Sequence, residues 1–164
     1  MGVRTADRAT ASQLPEKIGN LLQESRWLAM GAVALFLAMA FWGFSKDDPG
    51  WSHAVANGQL HNPTGHAGAW IADLMLYLFG LSAWWWIILL VMFMWWGFRR
   101  LNSPLGHTDR RPLYIALSGF AVLLVASSAL EALRFYSLKV ELPLAPGGLL
   151  GIEAGRLLEH LLGY

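Results

Sequence analysis

The sequence predicts an all-α, polytopic membrane domain, and three observations support this prediction. Residues 74–98 form an uncharged apolar run with five tryptophans. As a helix this run reaches about 37 Å, more than the roughly 30 Å hydrocarbon core of a bilayer. Of the 164 residues, 55% are hydrophobic and 14% are charged, against about 25% charged in soluble domains. Two further apolar runs, 27–44 and 113–133, are each long enough for one span. A soluble chain of this length could not bury a helix that is apolar all round.

The first span is predicted at residues 27–44, after a polar N-terminal tail at 1–26 with room for a short helix after Pro15. A secretory signal is the alternative, because Ala38-Met39-Ala40 resembles a cleavage site. The polar leader is long for a signal, however, and the run stays apolar to Phe44. We therefore interpret it as a retained span.

Two outer loops, one connector and one terminal helix complete the predicted architecture. Residues 45–73 are rich in turn formers, so we expect turns, and not a core, to order this loop. The connector 99–112 is basic, with four arginines against one aspartate, and a second outer loop covers 134–148. Residues 149–164 predict an amphipathic helix that lies on a membrane or on other helices. Its leucines line one side and its charged residues another: Leu150, Leu157, Leu158 and Leu161 against Glu153, Arg156 and His160.

The distribution of basic residues predicts the orientation. The tail and the connector carry four Lys or Arg each, whereas the loop 45–73 carries only Lys46. The positive-inside rule therefore places the N-terminus and the connector in the cytoplasm. Three spans then leave residues 149–164 outside, so we expect that the sequence is cut before a fourth span.

The sequence offers no catalytic motif. It contains no Gly-Lys pair for a phosphate loop, no G-x-S-x-G, no H-E-x-x-H and no cysteine. His53, His61 and His66 share the first outer loop with Asp47 and Asp48, but their spacing matches no metal-ligand pattern, and we expect solvated histidines. The segment is therefore predicted to be no enzyme, with no catalytic, cofactor-binding or metal site.

The tryptophans of the second span are candidates for helix packing or partner contacts. Trp84, Trp85 and Trp86 lie about 15 Å deeper than the interfacial Trp95 and Trp96, so they cannot form the opposite aromatic belt. Three consecutive residues fan across about 200° of a helix. We expect at least one of the three to contact the first or third span and another to face lipid or a partner.

The third span offers a second set of candidates. Ala121, Ser128 and Ala132 fall at helical spacing on one narrow face, which predicts close packing against another helix. Glu131 and Arg134 lie near the outer end of this span. An ionisable residue within a span often marks function, but near an interface we expect these two to reach water or to pair with each other.

A family resemblance follows from the first outer loop and the start of the second span. The stretches that carry it are Asp48-Pro49-Gly50-Trp51-Ser52, Asn62, Gly65, Gly68-Ala69-Trp70, Ala72-Asp73 and Phe79-Gly80. They resemble the signature of the N-terminal membrane domain of the FtsK/SpoIIIE DNA translocases. Pro146-Gly147-Gly148, with Gly151 and Gly155, is similar to the stretch before the fourth span of that family.

The resemblance implies a bacterial inner-membrane protein with a cytoplasmic N-terminus, four spans, a long linker and a hexameric motor that pumps DNA through the division septum. It implies that this segment anchors the motor in the lipid bilayer, contacts divisome membrane proteins and serves cell division and chromosome segregation. ATP, Mg and DNA would be bound by the absent motor, so no nucleic acid is expected here. A small transport or channel subunit is the alternative, as is a periplasmic-facing sensor that uses the histidines and aspartates of the first loop.

Overall fold

The computed structural model describes residues 6–54, 60–101, 111–134 and 142–163, and within these ranges all regular structure is helical. The elements are α1 (Ala6–Trp42), α2 (Gly65–Phe79), a 3₁₀ turn (Gly80–Ala83), α3 (Trp84–Leu101), α4 (Arg111–Arg134) and α5 (Gly148–Leu162). Among the residues described, three segments are long and apolar enough to cross a membrane: Glu24–Trp42, Gly65–Arg99 and Arg111–Arg134. The predicted all-α membrane fold with three spans is confirmed, and the fourth span stays a prediction.

Helix α1 is longer than the span it contains. It begins at Ala6, whereas the sequence predicts a tail up to residue 26. The 18 residues that precede the candidate span Glu24–Trp42 extend the helix by roughly 27 Å at 1.5 Å per residue. Many of these residues are Ala, Leu, Gln, Glu or Lys, which favour helix and allow the span to continue beyond the hydrocarbon.

The second span is interrupted. Helix α2 begins at Gly65, nine residues before Leu74, and the chain leaves helical geometry at Gly80, with φ 59° and ψ −140°. Residues with a Cβ rarely adopt this conformation. A straight helix of the 35 residues in Gly65–Arg99 would reach about 52 Å. The interruption allows the chain to change direction within the membrane.

Helices α1 and α3 pack in antiparallel orientation through two glycines. The ring of Trp27 lies against Gly97, and the Sδ of Met94 lies 2.8 Å from the position of a Cβ on Gly31. Because glycine has no side chain, the two helices approach closely at these points. We call the end of the bundle with Trp27 and Gly97 the Arg26 end. The opposite end, which carries residues 45–54 and 60–64, is the loop end.

Helix α5 packs on α4 through small residues. A Cβ on Gly151 would lie 2.4 Å from the carbonyl oxygen of Ser128 and 3.3 Å from the Cβ of Ala132. Ala154 beside this contact is also buried. Leu157 and Leu161, on another side of α5, are 63% and 78% exposed. Gly151 and Ala154 thus lie on the packing face of α5, whereas Leu157 and Leu161 face the surroundings.

A small core joins α1, α2 and the 3₁₀ turn near the loop end. Its buried members are Ala40, Phe41, Ala72, Leu76, Ala83 and Leu142. Phe41 and Trp84 meet edge to face with ring centroids 5.7 Å apart. This core fixes the position of two polar sites, one at the loop end and one at the break in the second span.

Candidate functional site

A hydrogen-bonded cap, formed by residues 45–54 and 60–64, closes the loop end of the bundle. Its first centre is Asp48, whose side chain is 2% exposed. The Asp48 carboxylate accepts the N–H of His61 at 2.7 Å and the N–H of Asn62 at 2.9 Å. Asn62 in turn donates its side-chain N–H to the carbonyl of Ala40 at 2.8 Å and accepts the N–H of Thr64 at 3.0 Å. The loop cap therefore ties the end of α1 to the start of α2.

The second centre of the loop cap is Asp73 on α2, which is 1% exposed. It accepts the N–H of Ser52 at 2.5 Å and the hydroxyl of Ser52 at 3.0 Å. Gly50 lies so close that a Cβ there would be 2.6 Å from the Asp73 Cγ. The Nε2 of His53 lies 2.7 Å from the carbonyl oxygen of Lys46. Two buried carboxylates thus organise this loop together with the turns at 46–47 and 63–64.

The other signature positions lie around the two carboxylates. Trp51 is 48% exposed and meets Tyr77 edge to face at 5.4 Å between ring centroids. Gly68 faces the side chain of Thr64, which a Cβ would strike. Trp70 is 46% exposed. The remaining positions are the half-buried Pro49, Gly65 with φ 75° at the first residue of α2, and Gly80 at the break.

The loop histidines approach different carboxylates. His53 Nδ1 lies 3.8 Å from Asp73 Oδ1, and His61 Nδ1 lies 3.2 Å from Asp48 Oδ1. His66 is exposed on α2. In the part of the chain that the structure describes, no three His, Asp or Glu side chains converge as a metal site requires. His53 and His61 are thus members of the hydrogen-bond network of the cap.

The second polar site lies where the second span is interrupted. The carboxylate of Glu131 on α4 accepts the N–H of Ser82 at 3.2 Å and the hydroxyl of Ser82 at 2.6 Å. The hydroxyl oxygen of Ser127 lies 2.6 Å from that of Ser82. A 3₁₀ turn leaves N–H groups without helical partners, and inside a membrane these need an acceptor from another element. Glu131 supplies one.

The expectation that Glu131 reaches water or pairs with Arg134 is wrong. Glu131 is 8% exposed, and among the described residues no ion pair joins it to Arg134, which is exposed. The partner is Ser82, which the sequence analysis missed. The signal available for it was a hydroxyl two residues after a glycine in an otherwise apolar run.

The loop before α5 seals the break from the other side. A Cβ on Gly80 would lie 2.5 Å from the carbonyl oxygen of Pro146 and 2.6 Å from the nitrogen of Gly148. Gly148 itself has φ 62°. We name the whole assembly the polar break: Gly80–Ala83, Ser127, Ser128, Glu131, Gly147 and Gly148. It joins the second span, the third span and α5 at one point.

The tryptophan triplet is divided between neighbours. Trp84 meets Phe41 of the first span, and Trp86 meets Phe120 of the third span at 5.1 Å between ring centroids. Trp85 is half-buried. The buried Nε1 of Trp86 has no hydrogen-bond partner among the described residues. Trp84 and Trp86 therefore connect α3 to both other spans.

The small residues of the third span also take different positions. Ser128 and Ala132 contact Gly147 and Gly151 at the start of α5. The hydroxyl of Ser128 donates to the carbonyl of Phe79 at 3.4 Å. Ala121, at the other end of the proposed face, is exposed. The face of α4 that packs through small residues is therefore confined to its second half, at Ser128 and Ala132.

Removal of the Glu131 side chain is expected to weaken the polar break. Glu131→Ala leaves the Ser82 N–H without its acceptor and should lower the free energy of unfolding by about 1–3 kcal/mol. Glu131→Gln keeps one acceptor oxygen and should cost less. Detergent-induced unfolding, followed by tryptophan fluorescence, measures both.

Glu153→Ala is the matched control, because Glu153 is exposed and pairs with Arg156 on the surface of α5. A double-mutant cycle of Glu131→Ala with Ser82→Ala should give a coupling between the average of about 0.6 kcal/mol and the maximum of about 1.7 kcal/mol found for polar pairs in a membrane protein. Additive costs would mean that Glu131 acts through another neighbour.

Comparison with known proteins gives a consistent result. Residues 19–164 match the model of the 4TM region of DNA translocase FtsK/SpoIIIE. The chain is similar to DNA translocase FtsK 2 of Ralstonia nicotianae, with 42% identity over 161 residues that cover 96% of this chain and 21% of the relative. It is also similar to DNA translocase FtsK 1 of Neisseria meningitidis serogroup B, with 34% identity over 94% of this chain and 19% of the relative. No solved structure matches.

The family match covers the loop cap, the polar break and all three candidate spans. The chain spans about a fifth of the length of the curated relatives it matches. The matched region is a membrane domain and not the motor of these translocases. This chain belongs to the family defined by the 4TM region of the DNA translocases FtsK and SpoIIIE.

Proposed function

We propose that the chain is the membrane anchor and division-site assembly module of an FtsK-type DNA translocase, and that it acts in cell division and chromosome segregation. The match of residues 19–164 to the membrane region of these translocases carries this proposal. About four fifths of the length of the relatives named DNA translocase lies outside the match. That remainder would hold the motor, with its ATP, Mg and DNA, so the present segment performs no catalysis.

The distribution of charge and exposed apolar surface supports an anchor in the bacterial inner membrane at the division septum. Basic residues cluster in the tail and the connector, and by the positive-inside rule this supports a cytoplasmic N-terminus. The loop cap then faces the periplasm, where the exposed rings of Trp51 and Trp70 offer contact area to divisome membrane proteins. The parent protein assembles as a homo-oligomer, a hexamer by family analogy.

A transport or sensor role is less well supported. A transport subunit needs a continuous polar path, whereas Ser82, Ser127 and Glu131 satisfy one another at one level of the bundle. A sensor would need free ligand groups in the loop cap. Asp48 and Asp73 are instead occupied by backbone N–H groups of the cap itself.

A fluorescent fusion of the 164-residue chain is expected to concentrate at the septum of dividing cells. We expect Trp51→Ala combined with Trp70→Ala to remain in the membrane fraction but to lose septal enrichment, because Trp51 is exposed on the loop cap and Trp70 is exposed near the start of α2. Trp42→Ala is the matched control, since Trp42 is 86% exposed on a span. Even fluorescence around the whole envelope from the unaltered chain would contradict the assembly role.

A further inference from the structure

The Arg26 end of the bundle carries two guanidinium groups at neighbouring helix ends. Trp27 lies against Gly97, so residue 26 of α1 and residue 99 of α3 lie within about one helical turn of the same contact. Arg26 and Arg99 are both exposed. They lie at the ends of the candidate spans Glu24–Trp42 and Gly65–Arg99, which is the depth of the lipid headgroups.

Each guanidinium is held over an indole ring. The Arg26 Cζ lies 4.7 Å from the centroid of the Trp27 ring, and the Arg99 Cζ lies 4.0 Å from that of Trp95. A cation at this distance is attracted to the face of the ring. Stacking fixes the plane of the guanidinium but leaves its edge N–H groups free to donate, and this edge matches the oxygens of a phosphate.

Among the residues whose side chains the structure describes, no carboxylate forms an ion pair with either of these two cations. The ion pairs there join His53 to Asp73, His61 to Asp48 and Arg156 to Glu153. These two exposed cations, which pair with no described carboxylate, lie at the depth of the headgroups, where an anionic lipid supplies negative charge.

We propose that the Arg26 end binds the phosphate of an anionic phospholipid through Arg26 and Arg99, with Trp27 and Trp95 as the positioning residues. Trp95 is 56% exposed and Phe98 is 40% exposed, so apolar surface adjoins the guanidiniums where acyl chains begin. A soluble anion would make no use of this surface. Zwitterionic lipids bring an ammonium group that the two arginines repel, so the site prefers a headgroup with net negative charge.

The proposal is tested by titration of the 164-residue chain in detergent with phosphatidylglycerol, phosphatidylcholine or inorganic phosphate, with native mass spectrometry as the readout. Arg26→Gln combined with Arg99→Gln should raise the Kd for phosphatidylglycerol about 30-fold, at about fivefold per arginine. The single variants should each show the fivefold effect and keep the test valid if the double variant does not fold. Arg134→Gln, at the other end of the bundle, should leave the Kd unchanged.

Trp95→Leu distinguishes a specific lipid-binding site from non-specific attraction of anionic lipid to the basic residues, because the substitution changes no charge. If the indole positions the Arg99 guanidinium, the Kd for phosphatidylglycerol should rise about two- to fivefold. An unchanged Kd would overturn the proposal, as would an equal loss in Arg111→Gln, which removes a basic residue of the connector region. Binding of inorganic phosphate as tight as that of phosphatidylglycerol would overturn the assignment to lipid.

Discussion

Replacement of Gly80 by alanine is expected to destabilise the membrane domain by about 3 kcal/mol or more, from backbone strain and overpacking together. Gly80 has φ 59° and ψ −140°, a conformation that alanine adopts only with strain. The new methyl group would also meet the Pro146 carbonyl and the Gly147 and Gly148 backbone at 2.5–2.7 Å. Backbone atoms cannot turn aside as a flexible side chain can. Detergent unfolding of the purified chain measures the loss.

Gly163→Ala separates the free-energy cost of backbone strain from the cost of steric overlap with neighbouring atoms. Gly163 also has positive φ, at 72°, but nothing lies within 4 Å of a Cβ there. The change should cost about 1 kcal/mol, the cost of left-handed geometry alone. Gly119→Ala, in open space on α4, should be neutral or slightly stabilising. Equal losses at Gly80 and Gly163 would mean that the loop before α5 does not lie on the break.

Gly148 forms the other half of the same contact. A Cβ on Gly148 would lie 2.5 Å from the Gly80 nitrogen and 2.7 Å from the Leu78 carbonyl carbon and oxygen. Gly148→Ala and Gly80→Ala therefore disrupt one interface. Because residues in contact are not additive, the double variant should cost less than the sum of the two single variants.

The three spans could be predicted from the sequence because bilayer thickness sets the same length for every spanning helix. The break at Gly80 could not. A glycine within an apolar run fits a continuous membrane helix as well as an interrupted one. An interruption requires an acceptor for the Ser82 N–H. That acceptor, Glu131, lies 49 residues further along the chain.

The hydrogen bonds of the loop cap could not be predicted from the sequence for the same reason. Turn-forming residues between 45 and 73 predicted a loop, and the family resemblance singled out Asp48 and Asp73 without giving their role. Their hydrogen-bond partners lie 13 to 21 residues away. Burial of a carboxylate depends on such distant donors, which local patterns of hydropathy do not contain.

Asp73→Ala is expected to detach the first half of the loop cap from α2 at a cost of about 2–3 kcal/mol. The change removes the acceptor for both the N–H and the hydroxyl of Ser52. Bonds to a charged acceptor are stronger than neutral ones, but removal of a buried charge also removes its desolvation cost, which limits the loss. Hydrogen exchange should report faster exchange at the Ser52 amide, with little change at the Asn62 amide, whose acceptor is Asp48.

Asp73→Asn tests whether charge or shape holds the loop. The amide keeps one acceptor oxygen and nearly the same volume beside Gly50, so it can retain the Ser52 N–H bond as a neutral bond of about half the strength. Its cost should lie between those of Asp73→Ala and the exposed control Asp47→Ala, which should stay within about 0.5 kcal/mol of the unaltered chain. A loss for Asp73→Asn as large as for Asp73→Ala would instead show that the negative charge is essential.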